Sequence, residues 1–328
     1  MDKAYYGVYC KNILAVKTNV ENFRWMYGSG PLTDTEEAYE KCTVKLHITV
    51  MPERRLERIG SWDKRFQSYT WDDHNKTIHC RRTILGLPIG YSIRLEENRI
   101  HAQIGKNYYR LVKNRVMNLH GIYYLLSDLA NIILLDRGYL TLYASAIADE
   151  ASNGATVSFA PPNTGKTVTA TMLCQRFGHT LVGEDLVITD GHRVYGCPRT
   201  NSYRKKKDHF DSAKTLSRGD KPAGLRTCDA CKVTELVTLS LGKPEVSVSK
   251  DEMLRQIKIL NGYLFHYYSA PIIKILGYFE KTYSLPWEEK AVTILSDMVE
   301  RCHCCCIRAE KAVDFYQWIG AEAPVEGS

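Results

Sequence analysis

The residues best suited to chemistry are Gly165, Lys166 and Thr167, which close the run Ala160-Pro161-Pro162-Asn163-Thr164-Gly165-Lys166-Thr167, with Val168 following. Glu184 and Asp185 stand a short distance on, Asp185 nineteen positions after Lys166. The run is a phosphate-loop (P-loop) pattern with alanine at the first glycine position. In such a loop successive backbone N–H groups turn inward and cradle phosphate oxygens, assisted by the start of the next helix. Lys166 then neutralises the outer phosphates of ATP, Gly165 allows close backbone approach, and Thr167 offers its hydroxyl to Mg²⁺. The expected nucleotide-binding residues are therefore Ala160 through Val168.

This chemistry needs a strand before the loop, a helix after it and a further strand to carry the acids. Ala155–Phe159 reads as a buried strand, Val168–Phe177 as a helix closed by Gly178, and Thr180–Val182 and Leu186–Thr189 as extended stretches around the acidic pair. Upstream, Tyr139–Ala148 reads as a strand and Ala151-Ser152-Asn153-Gly154 as a turn. Downstream, Asp190-Gly191 signals a two-residue hairpin, with His192–Gly196 as the returning strand. Val233–Leu241 and Cys302–Arg308 read as strands, Met253–Leu260, Ala291–Arg301 and Ala312–Ile319 as helices, and Pro324–Ser328 as a frayed tail.

The first 115 residues have a different texture. Tyr5–Val16, Thr43–Val50, Thr77–Ile84, Tyr91–Leu95 and Tyr108–Val112 are rich in β-branched and aromatic residues, and turn-forming clusters separate them. An antiparallel sheet or small sandwich is the simplest expectation. Between Val116 and Leu135 the apolar residues recur at three- and four-residue steps (Met117, Ile122, Leu125, Leu126, Leu129, Ile132, Ile133), which predicts a helix joining the two parts.

The 328 residues suffice for one large or two ordinary domains, and 44% hydrophobic with 25% charged content is that of a globular protein. No basic-then-apolar leader opens the chain, and Asp128, Asp136 and Arg137 interrupt the most apolar stretch, so a cytoplasmic protein without membrane contact is expected. The odd count of 11 cysteines argues for reduced thiols. Cys228/Cys231 and Cys302–Cys306 lie further apart than the pairs of a zinc ribbon, and for Cys302–Cys306 a strand of buried thiols is the simpler reading, with zinc as the alternative. Much of the net charge of +7 sits between Arg199 and Arg226, where nine Lys/Arg face three Asp. That segment can meet nucleotide phosphates, an acidic partner or, as the weaker reading, nucleic acid.

The spacing of the acids separates kinds of P-loop protein. AAA-type ATPases place their acidic strand much further on, and no guanine-specifying Asn-Lys-x-Asp is present. Gly178-His179-Thr180-Leu181-Val182-Gly183-Glu184-Asp185-Leu186-Val187 resembles instead the acidic strand of the HPr kinase/phosphorylase and HPr-kinase-related family, whose core is shared with phosphoenolpyruvate carboxykinase. Leu142-Tyr143-Ala144-Ser145-Ala146 is similar to that family's strand before the loop, with Tyr143 where histidine is common. Glu184 stands where the family's first aspartate stands. The resemblance covers roughly residues 138–320.

It implies an α+β chain: a β-rich N-terminal domain (1–115), a linking helix (116–137), an HPr-kinase-like, PEP-carboxykinase-like P-loop α/β domain (138–320) and a tail (321–328). It implies an ATP- and Mg²⁺-dependent kinase acting on a hydroxyl of a protein, peptide or small molecule. Glu184 and Asp185 then form the catalytic pair: one acid accepts the acceptor's proton, and the other helps hold the metal, with Thr167 and Asp185 as its ligands. Arg199 or Arg204 would add a stabilising cation. The rival expectation is a nucleotide-binding regulatory or interaction protein without turnover, carried by the residues at positions 143, 160 and 184. Homo-oligomerisation stays open.

Overall fold

Alternating and fully apolar strand patterns dominate both halves of the chain, and helices cover what the sheets leave exposed. The computed structural model describes residues 3–56, 64–66, 69–72, 74–113, 121–149, 153–197, 225–262, 287–317 and 319. These form a mixed α/β architecture of two compact units, the first holding the described residues up to Arg137 together with Trp287, and the second the remaining ones from Gly138 on. Among the described residues no helix is long and apolar enough to cross a membrane.

In the first unit, strands β1 (Tyr5–Cys10), β2 (Leu14–Thr18), β5 (Val44–Met51), β6 (Lys64–Phe66), β7 (Tyr69–Asp72), β8 (Thr77–Ile84), β9 (Leu87–Glu96) and β10 (Arg99–Gly105) form one sheet in the order β1-β2-β5-β10-β9-β8-β7-β6. A separate hairpin, β3 (Asn22–Trp25) with β4 (Gly28–Pro31), and helix α1 (Glu36–Glu40) connect β2 to β5. This connection lets β5 run parallel to β2, and β10 is parallel to β5 as well. The sheet is therefore mixed, where an antiparallel sheet or sandwich was expected.

Tyr108–Val112 is not a strand. It belongs to helix α2 (Lys106–Lys113), which buries Tyr108, Leu111 and Val112, the three- and four-residue spacing of a helix face. Helix α3 (Gly121–Asp136) packs inside this unit, with Tyr123 meeting the ring of Phe23 edge-on at 5.5 Å, and it buries Ile122, Leu125, Leu126 and Leu129. On α3, Asp128 is only 3% exposed, and its Oδ2 has no hydrogen-bond partner among the described residues. Burial alone pushes its carboxyl up to about 8.

In the second unit, β11 (Leu140–Leu142), β12 (Ala144–Asp149), β13 (Gly154–Phe159), β14 (Thr180–Gly183), β15 (Val187–Thr189), β16 (Arg193–Gly196) and β17 (Ala230–Leu241) follow the sheet order β11-β15-β16-β17-β13-β12-β14. β19 (His303–Ala309) adds to β17, and β18 (Glu245–Ser247) adds to β19. The expected strand Tyr139–Ala148 is broken at Tyr143 into β11 and β12. The Asp190 connection is longer than a two-residue hairpin, since Thr189 pairs with Val194; the Asp190 carboxylate accepts the N–H groups of His192 and Arg193 within it.

Helices α4 (Lys166–Phe177), α5 (Lys250–Asn261) and α6 (Trp287–Arg301) complete the unit, followed by a 3₁₀ turn at Ala312–Gln317. Ser249 starts α5 by accepting the N–H of Glu252 on its hydroxyl, and left-handed Gly178 (φ 74°) ends α4.

Candidate functional site

β13 and β14 both run antiparallel to β12, on either side of it. The ends of β13 and β14 and the start of β12 therefore meet at one edge of the sheet, with Ala144 paired to Phe159 and Ala146 to Gly183. The loop leaving β13, the break at Tyr143 and the acidic pair leaving β14 come together there. β17 runs parallel to β13, and β19 parallel to β17, so their ends face the same way. Sites in α/β sheets commonly form outside such strand ends.

The loop bends through Asn163 (φ 65°) and Gly165 (φ 121°), with a turn closed by the Thr164 N–H on the Pro161 carbonyl at 3.3 Å. The first helical bond runs from the Thr169 N–H to the Gly165 carbonyl at 2.9 Å. The N–H groups of Lys166, Thr167 and Val168 thus lie in the first turn of α4, where a helix has no intrahelical acceptors to offer. Gly165 is required for a reason the spacing did not reveal. A Cβ there would lie 2.5 Å from the Cβ of Ala312, so the close approach it permits is to the 3₁₀ turn. Ala160, at the first glycine position, does not adopt a positive φ. It is fully buried in an apolar cluster with Val237, Ile307 and Phe315, so its methyl group is part of the core.

Lys166 is 6% exposed. Its ammonium donates to the Ala160 carbonyl at 3.2 Å and lies 3.4 Å from the centroid of the Tyr143 ring. Burial lowers its pKa to about 8, while the charge of Asp185 pulls the other way. Glu184 is 4% exposed, and burial raises its carboxyl to about 7, against a hydrogen bond from the Thr167 side chain that lowers it; Asp185 adds to the rise. Asp185 is half-buried. Ser145 fixes the backbone of the pair by donating its hydroxyl to the Glu184 carbonyl at 2.5 Å.

Lys166, Thr167, Glu184 and Asp185 therefore share one neighbourhood, while Pro162 and Asn163 are exposed at the loop's tip. The donor set suits a nucleotide phosphate and a hard cation: a buried ammonium, first-turn N–H groups, a hydroxyl and two carboxylates. Arg199 and Arg204 lie outside the described residues. Arg226, at the far end of the basic segment, donates to the Gly178 carbonyl at the end of α4.

Nine of the cysteines are buried, and Cys228 and Cys231 are half-buried. All eleven are free, and burial pushes the Cys304 thiol to about 11 and the Cys305 thiol to about 12, which leaves them unreactive near neutral pH. Among the described residues no group of three or more His, Cys, Asp or Glu is arranged to hold a metal.

Three contributors lie outside the residues expected to do chemistry. Ala312 braces the loop, Ser145 holds the acidic turn, and Asn261 accepts the Tyr143 N–H at 2.9 Å while donating to the Thr141 carbonyl at 3.2 Å. Asn261 lies far along the chain from both residues, so only the folded sheet brings them together.

No protein-family model matches the chain, and no curated protein matches it. Among solved structures, it is similar to the Hpr(Ser) kinase/phosphatase from Coxiella burnetii, at 14% identity over 33% of this chain and 76% of that one, with a TM-score of 0.25.

Proposed function

We propose that the second unit is an ATP- and Mg²⁺-dependent kinase of the HPr-kinase-related type, with a P-loop α/β core, that transfers a phosphoryl group to a hydroxyl. The observation that carries this reading is the convergence of Lys166, Thr167, Glu184 and Asp185 at one sheet edge, beside the first turn of α4. Lys166 and the first-turn N–H groups bind the phosphates. Thr167 and Asp185 would hold Mg²⁺, which supplies charge neutralisation on the phosphates when bound. Glu184, raised to about 7, is poised to accept the acceptor's proton near neutral pH. The acceptor is a protein, peptide or small-molecule hydroxyl, and the nine Lys/Arg of the segment Arg199–Arg226 supply positive charge for an acidic one.

The test compares two variants with labelled ATP. Lys166→Ala is expected to abolish ATP binding, and Asp185→Ala to keep binding but lose transfer. Undiminished transfer by both would refute the assignment.

Nucleotide binding without turnover is the second reading, favoured by the 4% exposure of Glu184, which closes that acid off from an acceptor. Incubation with labelled ATP, Mg²⁺ and cell extract separates the two. A labelled product supports the kinase; binding with no product supports the rival.

A further inference from the structure

Tyr143 stands in the single-residue interruption between β11 and β12. Asn261, 4% exposed at the end of α5, pins this interruption from both sides through the Tyr143 N–H and the Thr141 carbonyl. The break is thus a fixed feature of the sheet, and the side chain it projects meets Lys166. The ammonium lies 3.4 Å from the ring centroid and also donates to the Ala160 carbonyl at 3.2 Å.

We propose that Tyr143 is a positioning residue: its ring face holds the Lys166 ammonium at the mouth of the loop, ready for a phosphate. This rests on the P-loop reading above. A lysine side chain has four flexible bonds, and ordering it at the moment of binding costs affinity. A carboxylate partner would order it too, but would cancel its charge and compete with the incoming phosphate. An aromatic face attracts the cation through its quadrupole and brings no anion with it, and the attraction grows when the cation is desolvated, as the buried Lys166 is. Of the three ammonium donors, one goes to Ala160, so others remain to meet phosphate oxygens.

Tyr143→Phe and Tyr143→Leu test the idea, because both keep the N–H that Asn261 anchors. Two quantities are read: the ATP dissociation constant by calorimetry, and the NMR position of the Lys166 ε-methylene, assigned by its absence in Lys166→Arg. Tyr143→Phe should bind ATP within about twofold of the parent, and Tyr143→Leu about tenfold more weakly. The ring current should shift the ε-methylene upfield in the parent and in Tyr143→Phe, and the shift should vanish in Tyr143→Leu.

Equal ATP affinity in Tyr143→Leu and Tyr143→Phe would overturn the proposal, as would an ordinary ε-methylene position in the parent. Tyr143→Met, whose flexible chain fills similar space, repeats the test if the leucine packs poorly. A parent chain that binds no ATP yet shows the upfield shift would refute the P-loop reading, and with it the phosphate role of Tyr143, while leaving the ring–ammonium contact established.

Discussion

Asp128 in the first unit and the pair Lys166 and Glu184 in the second are buried to nearly the same degree, at 3%, 6% and 4% exposure. Their surroundings differ. Asp128 is shifted by burial alone. Lys166 and Glu184 are shifted by burial too, but each also feels Asp185, and each has specific contacts: a carbonyl and a ring for the lysine, a hydroxyl for the acid. A shifted acidity by itself marks only desolvation. Opposed groups with shared partners at converging strand ends mark a place where charge is handled.

The largest effect that would sharpen this contrast is in catalysis. Glu184→Gln, which keeps shape and removes basicity, should slow phosphoryl transfer by roughly 10²–10⁴-fold while ATP affinity stays within a few-fold. Transfer at the parental rate, measured with labelled ATP, would reduce Glu184 to the status of Asp128. Next comes Gly165→Ala. It forces a side chain onto φ 121° and drives its Cβ against Ala312, at a cost of about 2–4 kcal/mol by urea titration. An unchanged midpoint would show that the 3₁₀ turn does not brace the loop.

Asp128 supplies the converse test. Its folded carboxyl titrates near 8 against 3.8 for the free group, so between those values the native state keeps a proton that the unfolded chain releases. This contribution is fully present below pH ~4 and is lost as pH rises towards 8. Asp128→Asn should flatten that slope and gain on the order of 1–3 kcal/mol over the parent at pH 8, with little difference at pH ~4. A parental slope in the asparagine variant would exclude Asp128 as its source. The smallest expected effect is that of Ser145→Ala, about 1 kcal/mol from the lost bond to the Glu184 carbonyl, read in the same titration.

The legible parts of this architecture were those where local pattern and tertiary demand agree. The apolar run before the loop, the helix Lys166–Phe177 ending at Gly178 and the late cysteine-rich strand lie close to their expected positions. Tyr108–Val112 misled because aromatic and β-branched residues favour strands, yet their burial spacing is helical. Arg99–Gly105 does carry the strand alternation, with buried Ile100, Ala102 and Ile104 between arginine, histidine and glutamine, but it lacks the aromatic and β-branched density of the other strands. At the site, the lysine, threonine and acids were readable from spacing. The partners that fix them were not: Asn261 and Ala312 act from distant points in the chain, and no local pattern encodes such a meeting.

The close fit of Gly165 against Ala312 also sets an order of events during synthesis. The loop lies near mid-chain, and its brace follows only after roughly 150 more residues, a wait of about 10–30 s at ordinary translation rates. β19, which leads into that turn, arrives in the same late portion and must dock on β17 first. A nascent chain therefore carries an unbraced loop through nearly half of its elongation. The braced form of the loop becomes a property of the nearly complete chain, and a premature stop before Ala312 would yield a product with the loop's sequence but without its support.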